Sequence, residues 1–266
     1  MFARYILKIY VYILSIIMVA PLLAMIPISI TTTTHIAFPP VGVTFHWYLA
    51  CFREKILTEA LTRSLILAGL SAGISVVIAL MASFAIERHD FPGKGVIEAF
   101  CTGPQIVPQI ILVLSLLMFY HSIHIANTFF GLLVSHILIT FPFTFRTILS
   151  GVASSDVLLE WSAKVLGANW WTVLRQAIIP QIKMPMIFSF IFAFVVSFNN
   201  VTMALFLSSP GQRTLPVELF VRTLVTGVSP KEASLSVALA VFGLLLFFVL
   251  DKVVGVYGYL TGGNQE

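Results

Sequence analysis

Asp156, Glu160, Lys164, Arg175 and Lys183 stand together between two apolar runs, interleaved with Trp161, Trp170 and Trp171. These types suit gripping a partner better than making bonds. No G-x-x-x-x-G-K-[ST] occurs, so nucleotide phosphates are not cradled by that route; Gly93-Lys94 lacks the earlier glycine. H-E-x-x-H and C-x-x-C are absent. His121, His124 and His136 have no fourth ligand or carboxylate in the nearby sequence, so no metal is assigned. The charged stretch reads as two short amphipathic helices meeting near Gly167, where a left-handed residue can end a helix. Pro180 and Pro185 mark the start of the span that follows. A second polar group lies inside an apolar run: Ser197, Asn199 and Asn200, with Thr202 beyond. Adjacent amides in a span are costly unless they face protein or a wet cavity. They are read either as lining a solute pathway or as pins between helices.

The elements that must position these residues are built for lipid. The chain has 266 residues, 59% hydrophobic and only 10% charged, with mean hydropathy +1.01. A soluble domain carries about 25% charge, so the expectation is an all-α polytopic membrane protein, one integrated membrane domain over 1–266. Arg4 and Lys8 precede an apolar run from about Ile9 to Ile30, roughly 33 Å of helix and enough to span. A cleaved signal peptide has a shorter apolar core, so an uncleaved first span is expected, bent at Pro21 and Pro27. Thr31 to Arg63, with Phe38-Pro39-Pro40 and Trp47-Tyr48, is an interfacial segment. Leu65 to Ile86 is a second span rich in Gly, Ala and Ser, suited to close helix packing. Cys101 to Phe119 is a third, broken at Pro104 and Pro108, which act as a kink or a hinge. Phe129 to Ile148, Met186 to Leu207 and Leu235 to Leu250 complete six, with a loop from Ser208 to Ser234.

Positive charge orients the chain. With both ends inside, the inner set is Arg4, Lys8, Arg88, Lys94, Arg146, Lys164, Arg175, Lys183 and Lys252. The outer set is Arg53, Lys55, Arg63, Arg213, Arg222 and Lys231, so the bias is nine to six in the expected direction. Both termini and the loop at about 150–183 are then cytoplasmic. Cys51 and Cys101 fall on opposite sides and are not expected to pair. Acids within the spans are nearly absent, which disfavours a proton-coupled carrier. Energy must come from elsewhere.

The charged loop resembles the E-A-A loop of permease subunits in bacterial binding-protein-dependent ABC importers. Trp161-Ser162-Ala163 occupies the E-A-A positions, with Trp161 in place of the motif's Glu and Glu160 one residue earlier. Gly167-Ala168 follows at the motif's spacing, Trp171 matches a frequent Trp, and Ile179-Pro180 stands for Leu-Pro. Pro104-Gln105-Ile106-Val107-Pro108 is similar to the family's P-x-x-V-P, and Thr214-Leu215-Pro216 to its Thr-Leu-Pro. Over nearly the whole chain the resemblance is to the shorter permease of spermidine/putrescine-type transporters. It implies a bacterial inner-membrane subunit, not an enzyme, with ATP–Mg held by a partner. It implies two ATPase subunits, a second homologous permease and an extracytoplasmic solute-binding protein; membrane lipid surrounds the chain and no nucleic-acid partner is expected. The docking residues it implies are Leu159, Glu160, Trp161, Ser162, Ala163, Leu166, Gly167, Ala168 and Trp171, with apolar side chains in an ATPase groove and Glu160 and Lys164 at its rim. Polyamine permeases of this kind commonly carry acids where Asn199 and Asn200 stand; amides are neutral and both donate and accept. The solute class therefore stays open among polyamine-like, opine or amino-acid-derived and phosphonate-like molecules. The rival reading is a stand-alone carrier or channel.

Overall fold

The computed structural model describes residues 2–36 and 39–254, and Phe38 lies outside them. Among the described residues there is no strand. The helices are α1 (Phe2–Ser29), α2 (His46–Arg53), α3 (Lys55–Arg88), α4 (Lys94–Thr102), α5 (Gln109–Ser122), α6 (Phe129–Ala153), α7 (Val157–Val165), α8 (Trp170–Thr172), α9 (Ile179–Phe198), α10 (Val201–Leu207), α11 (Leu215–Thr226) and α12 (Pro230–Val254). Among the described residues, four helical stretches are long and apolar enough to cross a bilayer: Leu7–Ser29, Lys55–Arg88, Phe129–Ala153 and Trp170–Phe198. A bent pair, Lys94–Gln105 with Gln109–Ser122, makes a fifth if it counts as one span. The chain divides into two compact units, Met1–Ala60 with Val217–Leu246, and Leu61–Pro216 with Phe247–Glu266.

In the first unit α1 is largely apolar and is exposed from Leu7 to Leu23, as a lipid-facing helix is. The interfacial aromatics are tied by their polar ends. The Trp47 indole N–H donates to the Thr31 carbonyl at 2.8 Å, and the Tyr48 hydroxyl lies 2.8 Å from Ser29 Oγ. The segment expected as one loop from Ser208 to Ser234 contains α11, because its apolar residues recur at helical spacing and Glu218 pairs with Arg222 at 2.9 Å one turn on. Arg222 and Lys231 both donate to Glu54. The hydrogen bond from Arg222, more than any other influence, holds the Glu54 carboxyl below its ordinary value.

In the second unit α3, α6 and α9 share one core. Val76, Leu80 and Phe84 of α3 meet Phe145, Ile148 and Val152 of α6 and Ile182 of α9. The small residues of α3 do what lipid-buried helices need. Ala68, Ala72 and Ala79 are fully buried, and so are Ser71, Ser75 and Ser83. At Gly151 of α6 the partner helix is nearest: a Cβ built there would lie 2.8 Å from Pro185 Cβ and Cγ.

Several boundaries differ from the sequence expectation: α3 already begins at Lys55 and α12 at Pro230, ahead of the expected Leu65 and Leu235. The third span is two helices meeting at 100°, with a single 3-10 turn, Gly103–Gln105, between them. Pro104 and Pro108 flank the missing donors, so the break is a turn of chain rather than a bend in one helix. The fifth span starts well before Met186. A π-helical turn, Val173–Ile178, joins α8 to α9 without a gap. Pro180 sits in the first turn of α9 and Pro185 within it. The prolines therefore lie inside the helix, not before it, which is tolerated in a span where neighbours cover the freed carbonyls. At its far end the expected span is divided, because α9 stops at Phe198 and α10 restarts at Val201.

Candidate coupling loop and polar cluster

The loop between α6 and α9 is ordered by its own caps. Asp156 caps α7 by accepting from the Leu158 N–H at 2.8 Å. The end of α7 is closed at Gly167, whose φ is +82°. Gly167 N–H donates to Lys164 O and Ala168 N–H to Ala163 O, each at 3.0 Å, the paired bonds of a Schellman turn. Asn169 then caps α8, accepting from the Thr172 N–H at 2.9 Å. Of the two short helices expected here, the first is α7; the second is the opening turn of the long helix that continues into α9. The π turn supplies the reason, since it carries the backbone bonds across the region where a break was expected.

These caps sort the side chains. Glu160 and Ala163, three residues apart, face the core; Ala163 and Ala168 pack against it. Leu158, Leu159, Trp161, Val165, Leu166 and Trp171 face outward, Val165 and Leu166 more than four-fifths exposed. Ser162 is exposed too. Lys164 lies over the Trp161 ring, 6.0 Å from its centroid. Glu160 is not at the rim of this surface. It is 2% exposed and takes two hydrogen bonds from Arg88 of α3, at 3.0 and 2.8 Å. Inside the chain the carboxylate is matched by a guanidinium, which a buried acid requires. Nothing in the loop's own sequence names Arg88; its position at the charged end of the second span was the one available signal.

The residues read as a pathway or as pins are placed unequally. Ser197 is buried; it lies 2.8 Å from His136 Nδ1 and accepts from Ser71 Oγ at 2.9 Å. Ser75 Oγ and Thr140 Oγ1, also buried, are 2.8 Å apart. His136 is therefore part of a polar seam joining α3, α6 and α9. Asn200 caps α10, its Oδ1 accepting from the Met203 N–H at 2.8 Å. Asn199 is exposed and donates to Val195 O at 3.0 Å. Thr202 is half-buried. So Ser197 pins helices, Asn200 builds the restart of the chain, and Asn199 presents an amide outward. Gly69-Leu70-Ser71-Ala72-Gly73 spells G-x-S-x-G, the letters of a nucleophile turn. It lies in mid-helix with its serine buried in the seam, so no turn exposes the hydroxyl.

A bundle of apolar helices carrying one ordered loop with an outward apolar face is the build of a multi-pass membrane protein. The chain belongs to the family described as binding-protein-dependent transport system inner membrane component, which matches residues 74–257. Over 205 residues it is 30% identical to the spermidine/putrescine transport system permease protein PotC of Escherichia coli (strain K12), covering 77% of each chain. Its fold is similar to a chain of a bacterial ABC transporter involved in the import of the acidic polysaccharide alginate, with a TM-score of 0.73 and 15% identity over 94% of this chain and 96% of that one. A chain of the bacterial alginate ABC transporter in complex with an alginate pentasaccharide-bound periplasmic protein matches with a TM-score of 0.64 and 16% identity, covering 94% of each.

Proposed function

We propose that this chain passes a small polar solute inward across the bacterial inner membrane, with both termini cytoplasmic, and that its loop docks on a separate ATPase. The observation that carries the reading is the outward apolar face of α7 and α8. Leu158, Trp161, Val165, Leu166 and Trp171 are held in water by caps and by Ala163 and Ala168 beneath them. An exposed apolar surface of this kind marks a protein or membrane interaction site, and membership of a transport family favours a protein partner here. ATP–Mg belongs to that partner, of which two copies act with a second, homologous permease and an extracytoplasmic binding protein. The partner set is supported by family membership and by the binding protein seen with the alginate transporter.

The relatives import solutes of opposite charge, by the names they carry: a polyamine and an acidic polysaccharide. Asn199 and Asn200 offer this chain no charge of either sign, which keeps the solute small and polar without selecting a polycation. Gly167→Arg tests the dock. No side chain would clash there, since nothing lies within 4 Å of the built Cβ, but φ of +82° strains any side chain and alters the turn. The variant stays in the membrane by immunoblot and loses its ATPase on purification from native membranes, at least tenfold. Full retention of the ATPase sinks the docking reading, and transport by the purified chain without ATP favours a carrier.

A further inference from the structure

The loop is tied to α3 as well as to the two helices it follows and precedes in the chain. Arg88, the last residue of α3, gives Nη2 bonds to Ser155 Oγ at 2.6 Å and Val152 O at 3.0 Å besides its two bonds to Glu160. The Arg88 and Glu160 side chains are 12% and 3% exposed. Trp170 of α8 packs edge-on against Phe84 of α3, ring centroids 4.6 Å apart. A buried, forked arginine pair of this kind resists opening, because separating it strands a charge out of water.

The elements differ in stiffness. The other two routes out of the loop are continuous but carry features that weaken a helix: α6 has Pro142, and the link to α9 passes the π turn and then Pro180 and Pro185. From Arg88 back to Ser71, α3 has no proline. Ser71 lies 17 residues along that helix, roughly 26 Å away at 1.5 Å per residue. There it donates to Ser197, two residues before Asn199.

We propose that the Arg88–Glu160 latch makes α3 a rigid arm, carrying displacement of the loop to the Ser71–Ser197 contact beside the candidate pathway. Arg88 and Glu160 are positioning residues: neither touches solute or nucleotide. The proposal rests on the loop being an ATPase dock.

The test uses the complex purified from its native membranes into nanodiscs, with Cys51 and Cys101 changed to serine. Spin labels at Leu70→Cys on α3 and Phe190→Cys on α9 report their separation before and after ATP–vanadate. The chain with an intact latch shows a shift in that distance. Arg88→Gln and Glu160→Gln keep the ATPase bound in the same stoichiometry and lose the shift, and Arg88→Lys recovers part of it. A full shift in either glutamine variant overturns the arm. Loss of ATPase binding in both glutamine variants also overturns it, because the pair then only builds the loop. If the chain with an intact latch carries no ATPase, the docking reading has failed first, and the arm falls with it.

Discussion

Two single residues set distances on which the bundle depends. Gly151 lets α6 approach Pro185 of α9 so closely that one added carbon would sit 2.8 Å from the pyrrolidine ring. A ring fused to the backbone cannot swing aside as a long side chain does. Gly151→Val therefore forces the helices apart, a cost of about 1–3 kcal/mol, read as a lowered unfolding temperature in detergent. An unchanged temperature would mean that the contact relaxes freely. Arg88 sets the other distance: its two bonds to Glu160 place α7 against α3, and those to Ser155 Oγ and Val152 O fix the end of α6 beside them. Removing the guanidinium leaves Glu160 buried without its partner.

At the scale of elements, breaks in helices matter as much as helices. α9 ends at Phe198, and Asn199 and Asn200 carry the chain over to α10. The Asn200 side chain replaces a backbone bond at the start of α10. Asp is as good a cap as Asn, whereas Ala at such a position costs about 1 kcal/mol. Asn199→Asp with Asn200→Asp thus keeps the α10 cap, gives up the bond from the Asn199 amide to Val195 O, and places two carboxylates at the break. If the amides line the solute path, this variant raises uptake of labelled putrescine relative to that of a neutral or anionic solute; an unchanged preference assigns both amides to packing alone. The 100° turn at Pro104 and Pro108 belongs to the same class. We take these two prolines as the candidate hinge, because α4 and α5 join there through one 3-10 turn, with few backbone bonds to resist a change of angle.

At the scale of the whole molecule, two apolar surfaces differ in their setting. Apolar side chains are exposed along α1, which suits lipid, and on α7 and α8, which are flanked by charge and suit a protein partner. Native mass spectrometry of the complex from its own membrane is expected to show two ATPases and a second permease of similar size. Recovery of the chain alone, still transporting without ATP, would establish the carrier reading instead. Composition alone determined that the chain lives in lipid, since 10% charge cannot clothe a soluble surface of this size. Hydropathy located the apolar runs. The spacing of Trp161-Ser162-Ala163 and Gly167 located the loop, because a helix and its glycine stop are local events encoded by neighbours. Tertiary structure decided what lies across the bundle from what. Glu160 turns inward because Arg88, 72 residues earlier, awaits it. Ser197 is buried because Ser71 and His136 reach it from two other helices. The prolines expected before the fifth span lie within it, because a π turn carries the helix on and Gly151 receives the Pro185 ring. A sequence records which groups must be satisfied; only the folded bundle settles by which partner, because those partners lie on helices far apart in the chain.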